Sequence, residues 1–295
     1  MVRMLAIVNP VSGRRKTPAL LRELRRRLRS AGVALEVRST AGPRDATRIA
    51  AEVGGDVDAV LVVGGDGTVR EVIDGLAGRD TPVVIVPTGT ANIVAREFGM
   101  QADAGAVART LLEGTPVHVD VGQVNGRRFV IVVGVGFDAE VVERLTRRRR
   151  GHIGYVDYFW PLWQTFWSHR WPRLKIEADG VCVFDDRGLA MVGVLARYSL
   201  GLRILKHART DDGLIDVCAM PCASRRRLLS HALNVLRGRH VDRCGVVYRQ
   251  CCEVRITSPD RVPVEVDGDT AGSLPVICTV ASDAAVLLTD PQHRT

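Results

Sequence analysis

The sequence predicts an α/β domain built on a parallel sheet, residues 1–118, and a mainly β domain, residues 119–283, with residues 284–295 returning to the first. Short apolar runs alternate with helical patterns as far as residue 115, the signature of a parallel sheet covered on both faces. From Val117 onward that alternation gives way to turn-bounded strands. A third observation locates the organising turn. Residues 59–63 are uniformly apolar, Gly64-Gly65-Asp66-Gly67-Thr68 follow at once, and Val69, Val72, Ile73 and Leu76 then recur at helical spacing. A strand therefore enters a glycine turn that opens a helix. N–H groups at such a helix start point at anions, and glycine lets the backbone come close to them. Neither the P-loop Gly-Lys-Ser/Thr nor the G-x-G-x-x-G spacing is present here, so phosphate binding by a turn of another kind is expected.

The chain has 295 residues, enough for two ordinary domains. Apolar residues make up 46% and charged ones 25%, a globular composition. The net charge of +8, almost all from arginine, favours anionic partners: a nucleotide, a nucleic acid or an acidic membrane surface. No helix-turn-helix, zinc or RNA-binding signature accompanies it, so no nucleic-acid partner is expected. No apolar run reaches the roughly 18 residues of a membrane span. The opening apolar stretch lacks a small-residue cleavage site and reads as a first strand. Seven scattered cysteines without metal spacing fit reduced thiols in the cytosol.

Residues 2–8 read as a buried strand, followed by the polar turn Asn9-Pro10-Val11-Ser12-Gly13. Thr17 is placed to cap the next helix and Pro18 suits its first position; Leu20, Leu21, Leu24 and Leu28 form its apolar stripe. Arg22, Arg25, Arg26, Arg27 and Arg29 read as its solvated face. A strand at 35–37 precedes Thr40 and a helix from about Arg44. A strand at 83–86 leads into Thr88-Gly89-Thr90-Ala91-Asn92 and a helix-like stretch, and a further helix covers 104–113. Three polar loops thus follow three strand ends, where ligands sit in open α/β sheets. Asn125-Gly126 marks a type I′ hairpin at the start of the β half, its arms 117–124 and 127–137. Six later stretches read as strands, among them 173–184 and 246–257 as single runs, with one helix capped by Ser224.

Between the two signatures stand four consecutive arginines, Arg147, Arg148, Arg149 and Arg150, and then every tryptophan of the chain: Trp160, Trp163, Trp167 and Trp171. On one helix the four would share an arc of about 80°. Pro161 would kink that helix or start a new one. Aromatic stripes usually pack inward, but the adjacent arginines favour a helix lying on an anionic membrane.

The ordered set of motifs resembles the catalytic family of diacylglycerol kinases, which includes bacterial lipid kinases and sphingosine kinases and has NAD kinases as distant cousins. Asn9-Pro10-x-Ser12-Gly13, Thr40, Gly64 to Thr68 as G-G-D-G-T, and Gly89-Thr90-x-Asn92 are similar to its nucleotide loops. Val119-Asp120-Val121-Gly122, Gly136-Phe137-Asp138, Asp212-Gly213-Leu214-Ile215-Asp216 and Val266-Asp267-Gly268-Asp269 are similar to its β-domain motifs. The resemblance implies a Rossmann-like, NAD-kinase-like nucleotide-binding domain joined to a β-sandwich domain for the lipid. It implies ATP-dependent, magnesium-dependent phosphorylation of a lipid hydroxyl, diacylglycerol by default. Asn9, Pro10, Val11, Ser12, Gly13, Thr40, Gly64, Gly65, Asp66, Gly67, Thr68, Val69, Arg70, Thr90 and Asn92 would hold the nucleotide. Asp269 would be the general base, with Asp267 as the fallback. Magnesium would be held by Asp212 with the backbone oxygens of Arg209 and Leu214, supported by Asp66 and Asp120. The implied setting is cytoplasmic, peripheral to the inner face of the membrane; the oligomeric state stays open, a homodimer included.

Three residues depart from the family pattern: Asp269 stands for the usual glutamate, Ile93 for a frequent acid, and Arg70 for a frequent asparagine. Two other readings compete with the lipid kinase: a soluble NAD-kinase-like enzyme and a non-catalytic membrane-surface binding protein.

Overall fold

The computed structural model describes residues 2–13, 17–148 and 154–291. The chain divides into two compact units, Met1–Val119 with Asp283–Thr295, and Asp120–Ser282. No helix among the described residues is long and apolar enough to cross a membrane.

The first unit runs β1 (Arg3–Val8), α1 (Thr17–Ser30), β2 (Ala34–Ser39), α2 (Asp45–Ala51), β3 (Ala59–Gly64), α3 (Asp66–Gly75), β4 (Val83–Pro87), α4 (Ile93–Glu97) and α5 (Ala104–Glu113). The strands pair in parallel in the order β4-β3-β1-β2, and Leu287 of the chain's last strand joins in parallel opposite Val83. The chain steps from β1 outward to β2 and then back across to β3, so β1/β3 is a topological switch point. All six residues of β3 are buried, as expected of a strand covered on both faces. Leu24 and Leu28 of α1 and Val107 and Leu111 of α5 pack on Met4, Ala6, Val8, Leu61 and Val63. The opposite pleat, Leu5, Ile7, Val60 and Val62, is buried as well. The arginines of α1 are exposed, a solvated face. Thr17 is the first helical residue rather than the cap, and its hydroxyl donates to the Gly13 carbonyl at 3.0 Å.

The second unit continues from β5 (Thr115–Val124) through β6 (Arg127–Phe129), β7 (Val132–Val135), α6 (Phe137–Arg148), α7 (Phe159–Ser168), β8 (Arg173–Ala178) and β9 (Val181–Gly193). After the short pair β10 (Arg197–Tyr198) and β11 (Leu202–Arg203) come β12 (Ile215–Pro221), α8 (Arg225–Leu236), β13 (Val247–Cys251), β14 (Glu253–Thr257), β15 (Pro263–Val266), β16 (Asp269–Ser273) and β17 (Val276–Thr289). Two antiparallel layers share β9. Its first half pairs with β8, in the row β8-β14-β17-β5-β6; its second half lies between β7 and β12, in the row β16-β15-β7-β9-β12-β13. Phe129, Ile176, Val192, Val217, Val254 and Val264 belong to the core cluster of this unit. Three hairpins turn on two residues that both have positive φ: Asn125-Gly126, Asp179-Gly180 and Asp267-Gly268. Positive φ at both central positions is the type I′ geometry that matches strand twist.

Four sequence expectations change. Residues 173–184 are a hairpin, not one strand, because Asp179-Gly180 supplies a turn inside the apolar alternation. The run 246–257 likewise splits at Cys252 into two strands. The stretch read as a strand through Phe137 ends at Val135; Gly136 at φ 98 turns the chain into α6, whose Val141, Val142 and Leu145 are buried. The tryptophan stripe holds three members, since α7 ends at Ser168 and Trp171 lies beyond it, edge-on to His169. Pro161 sits in the first turn of α7, where a proline is tolerated. Arg149 and Arg150 of the arginine run lie outside the described residues. All seven cysteines are unbonded.

Helix α3 passes α2 through Gly75, where an added Cβ would lie 2.3 Å from the Thr47 carbonyl and 2.7 Å from the Ala50 Cβ. Gly75→Ala is expected to destabilise the fold by about 1–3 kcal/mol, the usual range for overpacking. The urea midpoint should fall with an unchanged slope.

Candidate functional site

Register brings the predicted loops together. Ser39, Val8, Val63 and Val86 align across the four parallel strands, so the next row along the sheet's carboxyl edge is Thr40, Asn9, Gly64 and Pro87. Each of the three loops expected to hold a nucleotide begins in that row. Side chains then tie them to one another. Asn9 Nδ2 donates to Thr68 Oγ1 at 3.1 Å, while Asn9 Oδ1 accepts from the Val11 N–H at 3.0 Å. Thr88 Oγ1 donates to Ser12 Oγ at 2.9 Å. Asn92, at φ 48, closes its own loop by accepting from the Gly89 N–H and donating to the Gly89 carbonyl, each at 2.9 Å.

Two glycines are required by contact. A Cβ on Gly89 would lie 2.6 Å from the Gly65 Cα, so the loops after β3 and β4 touch backbone to backbone. A Cβ on Gly13, itself at φ +61, would lie 2.7 Å from the Thr88 Cβ. Only one residue, Gly65, separates β3 from α3, which sets the start of the helix at this rim.

Asp66 occupies a positioning role. Its Oδ1 accepts from the Val94 N–H at 3.1 Å, and the amides of Asn92 and Ile93 also reach it. Burial raises its carboxyl above the ordinary range, and those amides oppose the shift. The carboxylate expected to help hold a metal therefore fastens the loop that begins α4. Val69 is in the core, and Ser12, Gly64, Thr68 and Arg70 of the expected nucleotide set are buried as well. Pro10, Val11 and Gly67 are exposed. Ile93 is buried, and the acid frequent at its position is replaced by core packing.

In the second unit the residues expected at a metal do gather. Asp120 clasps the loop 209–214 twice: its N–H donates to the Thr210 carbonyl at 2.7 Å, and its Oδ2 accepts from the Gly213 N–H at 2.7 Å. Asp212 turns back on that loop through the Leu214 N–H at 3.1 Å. The Arg209 guanidinium is turned to Asp211, leaving its main-chain oxygen as the donor on the loop. Gln250 Nε2 lies between Asp212 and the buried Asp216, at 3.4 and 3.5 Å. Among the described residues no three His, Cys, Asp or Glu side chains cluster to hold a metal. The donors on this loop are one carboxylate and main-chain oxygens. That set suits a hard cation such as magnesium, which takes one or two carboxylates and keeps waters.

The two candidate bases have different surroundings. Asp267 is the first residue of a type I′ turn, and its carboxylate accepts from the N–H groups of Val130, Ile131 and Val132 at 2.9, 2.9 and 3.0 Å. It pins the β6–β7 connection. Asp269 follows the turn; its side chain is 43% exposed, with Arg127 Nη2 at 3.5 Å. Of the two, Asp267 is engaged by backbone amides, whereas the Asp269 side chain stands open to solvent.

Sequence reasoning missed a third acid beneath the same turn. Glu265 is fully buried, and its Oε2 accepts from the Gly268 N–H at 2.7 Å. It is hydrogen-bonded to Asp138, and Tyr198 Oη donates to Asp138 Oδ2 at 2.7 Å and reaches Glu265 Oε1 at 3.4 Å. A Cβ on Gly134 would lie 2.6 Å from Glu265 Oε1, which explains the glycine under the pair. Burial, followed by the Asp138 charge, pushes Glu265 well above the carboxylate range, and burial also raises Asp138. The pair therefore shares a proton. No spacing rule could have found it, because the two acids stand far apart in sequence and meet only through β7, β15 and α6.

Comparison with known proteins follows the same division. Residues 3–124 match the model of the diacylglycerol kinase catalytic domain, and residues 131–289 match the YegS C-terminal NAD kinase beta sandwich-like domain. A diacylglycerol kinase of Mycobacterium tuberculosis is 32% identical over 299 residues, covering 99% of this chain and 96% of that protein. One of Bacillus subtilis is 28% identical over 279 residues, covering 93% and 92%. Among solved structures, a Bacillus anthracis protein provisionally described as a diacylglycerol kinase superposes with a TM-score of 0.81 at 24% identity, covering 98% of this chain and 95% of that one.

The buried acid pair has a measurable consequence. Unfolding frees Glu265 to ionise from about pH 4.3, the ordinary glutamate value, whereas the fold keeps it protonated. Its contribution is thus full below that pH and is lost as pH rises toward the raised folded value. Glu265→Gln keeps an acceptor for the Gly268 N–H and cannot ionise. The variant's Tm, taken relative to the parent's, is expected to climb from pH 5 to pH 8 in scanning fluorimetry; a difference that is flat with pH contradicts the shared proton.

Proposed function

This chain belongs to the diacylglycerol kinase family, and we propose that it transfers the γ-phosphoryl group of ATP to the free hydroxyl of diacylglycerol or a closely related lipid alcohol. The observation that carries the reading is the rim of three loops in one register row, tied by Asn9–Thr68, Ser12–Thr88 and Asp66–Val94. A triphosphate needs fixed N–H donors and little covalent chemistry, since phosphoryl transfer is mostly positioning and charge neutralisation. The glycine contact keeps the loops from closing further and the hydrogen bonds between them oppose their parting, so the amides are set before the ligand arrives.

In the proposed reaction the lipid oxygen forms a bond to the γ-phosphorus while the bond from that phosphorus to the β–γ bridging oxygen breaks, and ADP leaves. The hydroxyl proton passes to the Asp269 carboxylate. Arg127 beside it keeps that carboxylate oriented, and Asp267 and Glu265 hold the turn from which it projects. Magnesium, when bound, neutralises phosphate charge and orders water; Asp212 and the main-chain oxygens of Arg209 and Leu214 would hold it, with Asp120 shaping the loop. Asp269, shorter than the usual glutamate, is the first residue of β16, immediately after the turn.

The test is transfer of labelled phosphate from ATP to a panel of lipid alcohols, with NAD as a competing acceptor. Product on diacylglycerol is expected; product on NAD alone would replace this reading with the NAD-kinase one. Asp269→Ala is expected to lower kcat by about a hundredfold or more, the low end for losing a general base. A wild-type rate in that variant removes Asp269 from the role.

Asp66 gives a separate expectation. Asp66→Ala frees the loop at 92–94 and should lower kcat/KM for ATP by about a hundredfold, as ångström-scale misplacement does. Asp66→Asn retains an acceptor for the Val94 N–H and should keep most of the activity. Equal loss in both variants would point to a metal ligand instead.

A further inference from the structure

Helix α7 is built inside out. Its buried residues are Pro161 and Thr165, while Phe159 is 66% exposed and Trp160, Trp163 and Trp167 are 49%, 49% and 51% exposed. At about 100° per residue the aromatic arc lies opposite the buried pair. The face continues onto α8. Arg225, the first residue of α8, stacks over the Trp167 ring at 4.8 Å, and its Nε donates to the Phe166 carbonyl at 2.9 Å. Leu229, Leu233 and Leu236 share Arg225's side of α8 within an arc of about 80°. They are 57%, 45% and 68% exposed. A contiguous water-facing apolar surface of this kind marks an interaction site.

Its surroundings are basic. Arg148 lies 5.9 Å over the Trp160 ring, and α8 opens on Arg225, Arg226 and Arg227 with no acid in its first turn. Where α7 ends, a groove of about 940 Å³ is lined by Arg144, Arg147, Arg170, Arg187 and Arg261. Of the three acids that also line it, Glu140 and Glu143 are already paired with Arg144, Arg147 and Arg261, and Asp260 is the third, against five arginines. Arg170 and Arg187 have no carboxylate partner among the described residues.

We propose that the α7–α8 face docks this chain on anionic phospholipid bilayers, with indoles and leucines entering the headgroup–acyl boundary and arginines pairing with lipid phosphates. Tryptophan is favoured at that boundary because its ring is apolar and its N–H polar, and arginine beside it is drawn to anionic headgroups. A second copy of the chain fits less well. Two-fold pairing sets a surface against itself, and here that opposes one arginine rim to another. The proposal goes beyond the kinase reading and does not depend on it, since vesicle binding needs no turnover.

The test uses the full chain with vesicles of phosphatidylcholine, with and without phosphatidylglycerol. Co-sedimentation is expected only with the anionic vesicles, weakening as salt rises, together with a blue shift of tryptophan emission. Trp160→Ser with Trp163→Ser and Trp167→Ser should bind at least about tenfold more weakly, consistent with loss of buried apolar area. Leu229→Ser with Leu233→Ser and Leu236→Ser should do the same through the other helix, and stands in if the tryptophan variant does not fold. Phosphorylation of a short-chain, water-soluble lipid alcohol should be unchanged in both. Vesicle binding equal to wild type in both variants overturns the proposal. So does equal binding to neutral vesicles, or a wild-type dimer that the variants dissociate without any vesicle binding.

Discussion

The structure depends first on parallel register. Because β1, β2, β3 and β4 are aligned within one residue row, their carboxyl ends present Thr40, Asn9, Gly64 and Pro87 side by side. A one-residue slip would turn every side chain of a strand to the opposite face, and with both faces buried that slip is costly. The register therefore serves the core and the rim at once. The contact of Gly65 with Gly89 converts this alignment into a fixed distance between two loops. Hydrogen bonds from Asn9, Ser12 and Asp66 then set the loops' conformations rather than their places.

The second unit solves a different problem. A β layer pair needs no helix to cover it, but it does need strands that pass from one layer to the other, and β9 does this within thirteen residues. Its hairpins reuse one device, an Asn or Asp followed by Gly with both residues at positive φ. At Asp267 the device gains a second use, because the turn's first side chain captures three amides of the neighbouring connection. Below it, Glu265 is fully buried beside the partly buried Asp138, an arrangement that costs desolvation unless the pair keeps a proton and its hydrogen bonds. That cost is spent next to the only turn that carries an exposed acid of the late motif, which ties the buried pair to the placement of Asp269.

Helix α7 shows how a composition signal can be inverted by packing. Aromatic residues at helical spacing ordinarily face a core, yet here proline and threonine face inward and the indoles face water. Helix α7 packs chiefly on α6, through a narrow face of small side chains, and the apolar surplus is left for another surface.

Much was legible in the sequence. Each strand of the first unit, the glycine turn, the helix at 104–113 and the Asn125-Gly126 hairpin follow from local periodicity and turn chemistry, because those are short-range properties. So did the set of loops, since strand ends in α/β sheets point one way. The hairpin at Asp179-Gly180 and helix α6 were misread where apolar alternation ran on through a turn residue, Gly136 in the second case. Residue roles were less accessible. That Asp66 fastens α4, that Asp267 is spent on backbone amides, and that Glu265 pairs with Asp138 all rest on contacts between residues distant in sequence. Hydrophobic pattern decided which elements form and which faces are buried; only the tertiary structure decided which carboxylates are enclosed, paired or exposed, because proximity and desolvation are set by packing and not by spacing along the chain.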